Sequence, residues 1–350
     1  MNYYLLKKIK TFSILVIVFS FAYVSSHRDL NFSNRNDTSV YNVYYQCLGD
    51  SSIFDCQKLI GAPINELTLG ISMKTFNILG LSYSDYIAVV VFIFIASIFY
   101  FYQSTTKYEI CVFCVFLLSP FFYESISNVL RQTLAISLFL IFSSLYLRCN
   151  NNKKTLLVLM FLTLFISHAI VILFFLCFLL CLLLNNLNKD VYIKSIVGIL
   201  VFSISSVFYF RYIIDILPLG DVLKFKLIYY SSLGSSGLLS VMSQIGKVQI
   251  ISYIVLLLIY FRFNTVLLDN NRLKLCFSLF CISLSIVFMF SFMDIAYRML
   301  ILPAILYPLL IICALVRKKT VALLSLVPYL YIQMYYFASN YTDVLRAFLS

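Results

Sequence analysis

Long apolar runs follow one another along almost the whole sequence, and short polar stretches separate them. The runs cover residues 10–26, 84–103, 108–122, 127–147, 155–168, 170–184, 192–210, 247–263, 275–292, 298–315 and 320–338. A helix that spans a bilayer needs about 20 mainly apolar residues, and fewer where the bilayer is thin. In lipid every backbone polar group must be paired within the protein, which favours helices. The pattern predicts an all-α, polytopic transmembrane helical bundle of about 10–11 membrane segments, some short or re-entrant, in one integral membrane domain over residues 1–350.

The composition excludes an ordinary soluble enzyme. The 350 residues are 62% hydrophobic and 11% charged, with a mean hydropathy of +0.97, whereas a soluble domain usually has about 25% charged residues. The net charge of +12 would indicate nucleic acid as the partner of a soluble protein. Here the basic residues form short clusters between apolar runs. They are therefore interpreted as topology signals and contacts with anionic lipid, with no nucleic-acid partner.

The basic clusters predict the orientation of the chain. They lie at Lys7–Lys10, Arg148/Lys153/Lys154, Arg262/Arg272/Lys274 and Arg317/Lys318/Lys319. The positive-inside rule places them all on the cytoplasmic side, together with the N-terminus of an uncleaved first helix. The number of crossings agrees with this orientation only if residues 155–184 cross twice or re-enter. One straight helix there would be about 45 Å long, and it would place loop 211–246 inside and reverse every later basic loop. The sequence therefore predicts a helix break near Ser167 and His168.

Two polar stretches separate the apolar runs on the outer side. Residues 27–65 form the first predicted outer loop and residues 211–246 the second. Between the first loop and the next apolar run, residues 66–82 are half apolar, and Gly80 fits a helix stop. This segment is predicted to be an interfacial helix on the outer face, with a spanning helix as the alternative.

Ten cysteines are present, and most of them lie in or beside apolar runs as small hydrophobic residues. Cys47 and Cys56 instead share the first polar loop, where a disulfide would form if the loop faces an oxidising compartment. Cys111 and Cys114 spell C-x-x-C inside an apolar run with no histidine nearby, which argues against a metal site. The sequence also lacks a Walker loop, an H-E-x-x-H motif and a D-x-D motif. No cofactor and no metal are therefore expected.

Arg131 is the charge that most clearly breaks the apolar pattern. It lies four residues into its run, near the outer end of the predicted helix, and Gln132 follows it. Burying arginine in lipid costs about 3 kcal/mol even on lenient scales. Such a residue usually faces the bundle interior or a wet cavity, although it can also snorkel to the headgroups. Arg131 is therefore a candidate functional residue.

Other polar residues gather on the same predicted side. His168 lies within an apolar run at the predicted break, where a satisfied core histidine is the alternative. Arg298 follows Asp294 by one helical turn, which a local ion pair would also explain. Three arginines and two carboxylates therefore join Arg131 and His168 as candidates: Arg298, Arg35, Arg211, Glu66 and Asp37. The planar fork of arginine suits phosphate oxygens, so the set indicates a phosphate-bearing, lipid-anchored substrate.

Several of these segments resemble the EpsG-like family, which comprises Wzy-type polymerases of bacterial surface polysaccharides. The resemblance rests on N-V-L-R-Q-T-L-A-I-S-L-F-L at 128–140 and L-F-I-S-H-A-I-V-I at 164–172. The stretches 34–44, 65–70 and 294–300 resemble the family's first outer loop and its late arginine-bearing helix. The family often has glycine before the loop aspartate, whereas Asn36 precedes Asp37 here, so the role of Asp37 carries over less directly.

The resemblance implies a reaction on the outer face of the bacterial cytoplasmic membrane, within an architecture similar to the GT-C-like one of lipid-linked glycan polymerases. An undecaprenyl-pyrophosphate-linked oligosaccharide would be transferred onto another lipid-linked repeat unit, giving O-antigen, capsule or exopolysaccharide, without metal or nucleotide. A chain-length regulator is the implied partner. A lipid-linked oligosaccharide flippase and an O-antigen ligase are the alternative functions.

The chemistry of that reaction assigns roles to the candidates. Arg131 and Arg298 would contact the pyrophosphate, and His168 would be the base or a second phosphate contact. Glu66 and Asp37 would bind sugar or act as the base. The remaining predicted substrate-binding residues are Gln132, Arg35 and Arg211.

Overall fold

A computed structural model describes residues 3–27, 37–59, 67–127, 130–149, 152–165, 167, 169–216, 244–263, 268, 270–290, 299–317 and 320–334. These residues form fifteen helices and no strand, which confirms the all-α class. They fall into two compact units that divide between Phe175 and Leu176.

The first unit contains nine complete helices and the start of a tenth. These are α1 (Tyr3–Ser26), α2 (Asp37–Asp50), α3 (Ile53–Leu59), α4 (Leu67–Ile78), α5 (Tyr83–Thr105), α6 (Glu109–Leu117), α7 (Pro120–Ser127), α8 (Leu130–Arg148), α9 (Lys153–Phe165) and α10 (Ala169–Asn185). The second unit contains the rest of α10 and five helices. These are α11 (Lys189–Ile216), α12 (Gln244–Arg262), α13 (Asn271–Met289), α14 (Ile301–Arg317) and α15 (Thr320–Met334).

Two helices, α5 and α13, are long and apolar enough to cross a bilayer by length and composition. Five shorter apolar helices accompany them, at Lys10–Ser26, Val171–Asn185, Gln249–Arg262, Ile301–Arg317 and Thr320–Met334. Large apolar side chains are exposed on many of these helices, among them Phe19 on α1 and Leu324 on α15. These features are consistent with a membrane protein.

Three predicted segments differ from the structure. The run 108–122 is divided into α6 and α7, because Pro120 disfavours helix at Ser119 and begins the next helix itself. The first predicted loop, 27–65, contains the helices α2 and α3. At the second loop, α11 continues to Ile216, so Arg211 lies inside a helix and not in a loop.

The directions of α1 and α8 in the first unit follow from their contacts with α5. Phe19 on α1 packs on Phe92, with ring centroids 5.2 Å apart, and Lys10 forms an ion pair with Glu109 just beyond the end of α5. At the same end, Arg148 lies 4.1 Å from the ring centroid of Tyr100. Helix α1 is therefore antiparallel to α5, whereas α8 is parallel to it, so Lys10 and Arg148 share one end. The 23 residues of α5 place the two ends about 33 Å apart.

The opposite end of the first unit carries a helical cap formed by α2, α3 and α4. A disulfide between Cys47 and Cys56 joins α2 to α3. Lys74 on α4 donates hydrogen bonds to the carbonyls of Leu48 and Ser51, which caps the C-terminus of α2. The cap is therefore tied together by one covalent bond and by a lysine that satisfies otherwise unpaired carbonyls.

Helix α4 ends at Ile78, two residues before Gly80, which is the stop that the sequence predicts. Gly80 has a φ of 70°, which is the left-handed conformation that glycine adopts without strain. Leu81 N–H donates to Phe76 C=O across the turn, and Leu81 C=O accepts a hydrogen bond of 2.7 Å from the Tyr45 hydroxyl. The turn therefore fixes both the start of α5 and the position of α2.

In the second unit, α12 is antiparallel to α13 and parallel to α14. Tyr260 stacks on Phe277 of α13 with centroids 4.6 Å apart, and its hydroxyl donates to Leu310 C=O of α14 at 2.9 Å. The C-termini of α12 and α14 and the N-terminus of α13 therefore lie at one end, which carries Arg262, Arg272 and Arg317. Arg262, Arg272 and Arg317 thus gather at one end of this unit, as Lys10 and Arg148 do in the first unit.

Candidate active site

Arg131 lies in the first turn of α8, at the end of the first unit that carries the helical cap. Its guanidinium carbon lies 5.7 Å from the centroid of the Tyr41 ring on α2. Tyr41 is 3% exposed, and Arg131 is half-buried. A cation over the face of a tyrosine ring is attracted by the electrons of the ring. The contact therefore holds the arginine against the cap.

The start of α8 is fixed by its neighbours. Gln132 is buried, and the Thr133 hydroxyl donates a 2.6 Å hydrogen bond to Ser125 C=O at the end of α7. Ser125 lies a few residues before Arg131, so this bond sets the turn between α7 and α8. Asp37 is the first residue of α2, one helical turn before Tyr41. The structure thus brings the start of α8 to the N-terminal part of α2.

A second contact joins the cap to the predicted helix break. Helix α9 ends at Phe165 and α10 begins at Ala169, which confirms the break. Ser167, between them, lies 3.2 Å from Thr68 of α4 through their hydroxyl oxygens. The Ser167 hydroxyl also donates to Thr163 C=O at 2.6 Å, so Thr68 is the donor in the pair.

The hydrogen bond between Thr68 and Ser167 lies close in sequence to two candidate catalytic residues. Thr68 follows Glu66 by two positions, and Ser167 immediately precedes His168. Glu66 and His168 themselves lie outside the described residues. The pairing therefore joins the two chain segments that carry them, and it was not predicted from the sequence.

Close packing at Gly70 brings α4 onto α2 and α3. A Cβ atom at this position would lie 2.6 Å from both the Tyr44 hydroxyl and Cγ2 of Ile53, so a larger residue would separate the helices. Tyr44 is 1% exposed, and no described group pairs with its hydroxyl. Burial raises the pKa of Tyr44 to about 12, so the phenol is neutral at physiological pH.

Only some of the other predicted site residues lie within the part of the chain that the structure describes. Arg35 and Arg298 lie outside the described residues, as do Glu66 and His168. Arg211 is placed as part of α11. Among the described residues, no group of three or more His, Cys, Asp or Glu side chains is arranged to hold a metal ion.

The second histidine of the chain lies at the end of α1, where its hydrogen bonds are to its own helix end. His27 is exposed, and its Nδ1 lies 2.9 Å from Tyr23 C=O and 2.9 Å from the Ser26 hydroxyl. The carbonyl can only accept, so the proton of this hydrogen bond lies on Nδ1.

The apolar helices of both units are consistent with a membrane protein, and comparison with known families gives its class. The EpsG family, whose members are Wzy-like polysaccharide polymerases, matches residues 10–348. Because the match covers nearly the whole chain, the protein belongs to the EpsG family, and the resemblance seen in the sequence is confirmed. No curated protein and no solved structure matches the chain.

Proposed function

We propose that this protein joins undecaprenyl-pyrophosphate-linked oligosaccharide repeat units into a surface polysaccharide. The reaction takes place at the capped end of the first unit, on the outer face of the cytoplasmic membrane. The observation that carries the proposal is the position of Arg131 beside Tyr41, at the opposite end from the basic residues Lys10 and Arg148. Membership of the EpsG family supplies the reaction class.

Two features support an outward-facing cap. The first is the separation of charge, because the positive-inside rule places Lys10 and Arg148 in the cytoplasm. The second is the disulfide between Cys47 and Cys56. Disulfides persist in oxidising compartments and are rare in the cytosol. Both features indicate a cytoplasmic N-terminus and an outer cap.

Arg131 acts on the leaving group. As the bond between the anomeric carbon and the phosphate oxygen breaks, the pyrophosphate carrier leaves with the electron pair and gains negative charge. A guanidinium held in place before the reaction stabilises that charge, and its N–H groups suit paired phosphate oxygens. Gln132, Arg35, Arg211 and Arg298 are the further candidates for contact with the substrate.

His168 acts on the acceptor. A hydroxyl of the incoming lipid-linked repeat unit attacks the anomeric carbon, forms the new glycosidic bond and gives its proton to a neutral His168. Glu66 and Asp37 bind the sugars, and they are the alternative candidates for the base. A sugar pyrophosphate is already an activated donor, so these steps require neither a nucleotide nor a metal.

The test is the surface glycan ladder of a deletion strain that is complemented with variants. Arg131→Ala is expected to give single repeat units, while its membrane level stays at that of the wild type. Arg148→Ala is the matched control, because Arg148 lies on the same helix and also contacts a tyrosine ring, but at the opposite end. This control is expected to give a full ladder.

Two outcomes would overturn the proposal. Complete loss of surface glycan in the deletion strain would indicate a flippase or a ligase. A normal ladder in that strain would show that the protein does not polymerise the glycan.

A further inference from the structure

Helix α15 carries an unusual row of polar residues. Ser325, Tyr329 and Gln333 are spaced four residues apart, which places them on one face of the helix, and each is 0% exposed. The other face is apolar and exposed, as Leu324 and Val327 show. Polar residues on a membrane helix usually face the protein interior, where they bind neighbouring helices or a substrate.

Ser325 serves to bind neighbouring helices. Its hydroxyl donates to Ser252 C=O of α12 at 2.8 Å and lies 2.8 Å from the Tyr307 hydroxyl of α14. The Tyr329 ring packs 4.5 Å from that of Tyr307. These contacts explain Ser325 and the ring of Tyr329 as structural.

Gln333 differs from them. Within the described part of the chain, neither its Nε2 nor its Oε1 has a hydrogen-bond partner, although the side chain is fully buried. A buried amide without partners is strongly disfavoured, and buried polar groups in folded proteins are generally paired. Because the amide both donates and accepts, it pairs well with a hydroxyl group, which does the same.

A second buried amide lies towards the same end of the second unit. Gln249 on α12 is 1% exposed and donates to the Tyr253 hydroxyl at 2.6 Å. The hydrogen bond from Ser325 to Ser252 C=O sets the register between α12 and α15, which run in opposite directions. Gln249 lies one turn before Tyr253 on α12, and Gln333 lies one turn after Tyr329 on α15. Because the two helices are antiparallel, both amides lie towards the same end of the bundle. Both lie away from the basic end that carries Arg317.

We infer that Gln333, with the Gln249–Tyr253 pair, binds hydroxyl groups of the sugars in the lipid-linked repeat unit. This inference rests on the proposed function, because it assigns residues of the second unit a role in binding the sugars. The groups involved are two amides and a phenol, all uncharged, which suits sugar hydroxyls and does not suit pyrophosphate. An ordered water offers the same hydroxyl chemistry and is the competing occupant.

The test uses purified full-length protein in proteoliposomes, with lipid-linked repeat units extracted from the deletion strain as the probe. Gln333→Met keeps the size of the side chain and removes both hydrogen-bonding groups. It is expected to raise the apparent KM about tenfold with kcat within about twofold, as the loss of one or two hydrogen bonds to substrate predicts. Ser283→Ala is the control, because Ser283 is buried in the same unit and bonds only its own helix at Phe280 C=O. Its KM is expected to be unchanged.

Each outcome decides the question. An unchanged KM in Gln333→Met overturns the inference, whatever the unfolding temperature of the variant. A higher unfolding temperature together with an unchanged KM would identify a water or an empty site beside Gln333. If Gln333→Met does not insert, Gln249→Met replaces it and is judged by the same change in KM. If wild-type protein makes no polymer in this assay, the proposed function fails. If wild type elongates while the variants keep their KM, only this inference fails.

Discussion

The guanidinium of Arg131 lies against the ring of Tyr41, 5.7 Å from its centroid, although 90 residues separate the two in sequence. A contact of this type contributes about 0.5–2 kcal/mol, depending on how well water is excluded. It links helix α8, which carries the arginine, to the cap formed by α2, α3 and α4.

Substitution of Tyr41 should therefore reduce polymerisation through Arg131. Tyr41→Phe keeps the ring and is expected to retain most of the ladder. Tyr41→Leu removes the ring and is expected to lower the elongation rate about threefold to thirtyfold, from the energy range of cation–π contacts. Ladder length and membrane level, measured together, check both. Equal defects in the two variants would show that the hydroxyl matters and the ring does not.

The hydrogen bond between Thr68 and Ser167 predicts coupling between the cap and the helix break. Thr68→Val and Ser167→Ala each remove it, so the double variant should be no slower in elongation than the slower single variant. The expected coupling is about 0.5–1.5 kcal/mol. Thr75→Val is the control, because Thr75 lies on the same helix and bonds only Ile71 C=O. Strictly additive effects of Thr68→Val and Ser167→Ala would contradict the prediction.

The disulfide between Cys47 and Cys56 should stabilise the cap and report its side. Closing a loop of this size contributes about 2–3 kcal/mol on the chain-entropy account. The double variant Cys47→Ser/Cys56→Ser is expected to unfold at a lower temperature and to shorten the ladder. Peptide mapping should find both thiols blocked in membranes prepared without reductant. Free thiols at both positions in those membranes would argue against an outward-facing cap.

The buried phenol of Tyr44 predicts the response to alkaline pH. Its pKa is raised to about 12 by burial, above the value of about 10 in the unfolded chain. The unfolded state therefore ionises first, so stability is unaffected by this group below pH 10 and falls as the pH rises from 10 towards 12. Tyr44→Phe in detergent should lose less stability over that window and should still polymerise. An identical pH dependence in both proteins would contradict this account.

How far the sequence predicts this structure differs from one element to another. The break at Ser167 follows from charge parity, and the stop at Gly80 follows from the chemistry of glycine; both are confirmed. Helix α2 was missed because its polar composition is typical of a loop. Its buried residues Tyr41, Tyr44, Tyr45 and Leu48 nevertheless follow the helical period, and that spacing could have revealed it.

The contacts between distant residues could not be predicted in the same way. The pairing of Arg131 with Tyr41 depends on how α2 packs across the start of α8, and no local pattern encodes that packing. The division of residues 108–122 at Ser119 was hidden because apolar residues continue on both sides of Pro120. Helix geometry at a proline thus decided a boundary that hydropathy alone leaves open.

Alanine substitution of each of the two histidines should distinguish a residue that takes part in the reaction from one that does not. His168→Ala is expected to abolish the ladder at a normal membrane level, whereas His27→Ala should leave it full, because His27 bonds only its own helix end in the described structure. If His168 is the base, the wild-type elongation rate should fall as the pH drops through the pKa of the imidazole, since only the neutral form accepts a proton. A rate that rises on acidification would instead identify His168 as a cationic phosphate contact. A full ladder from His168→Ala would exclude both roles and transfer the assignment of the base to Glu66.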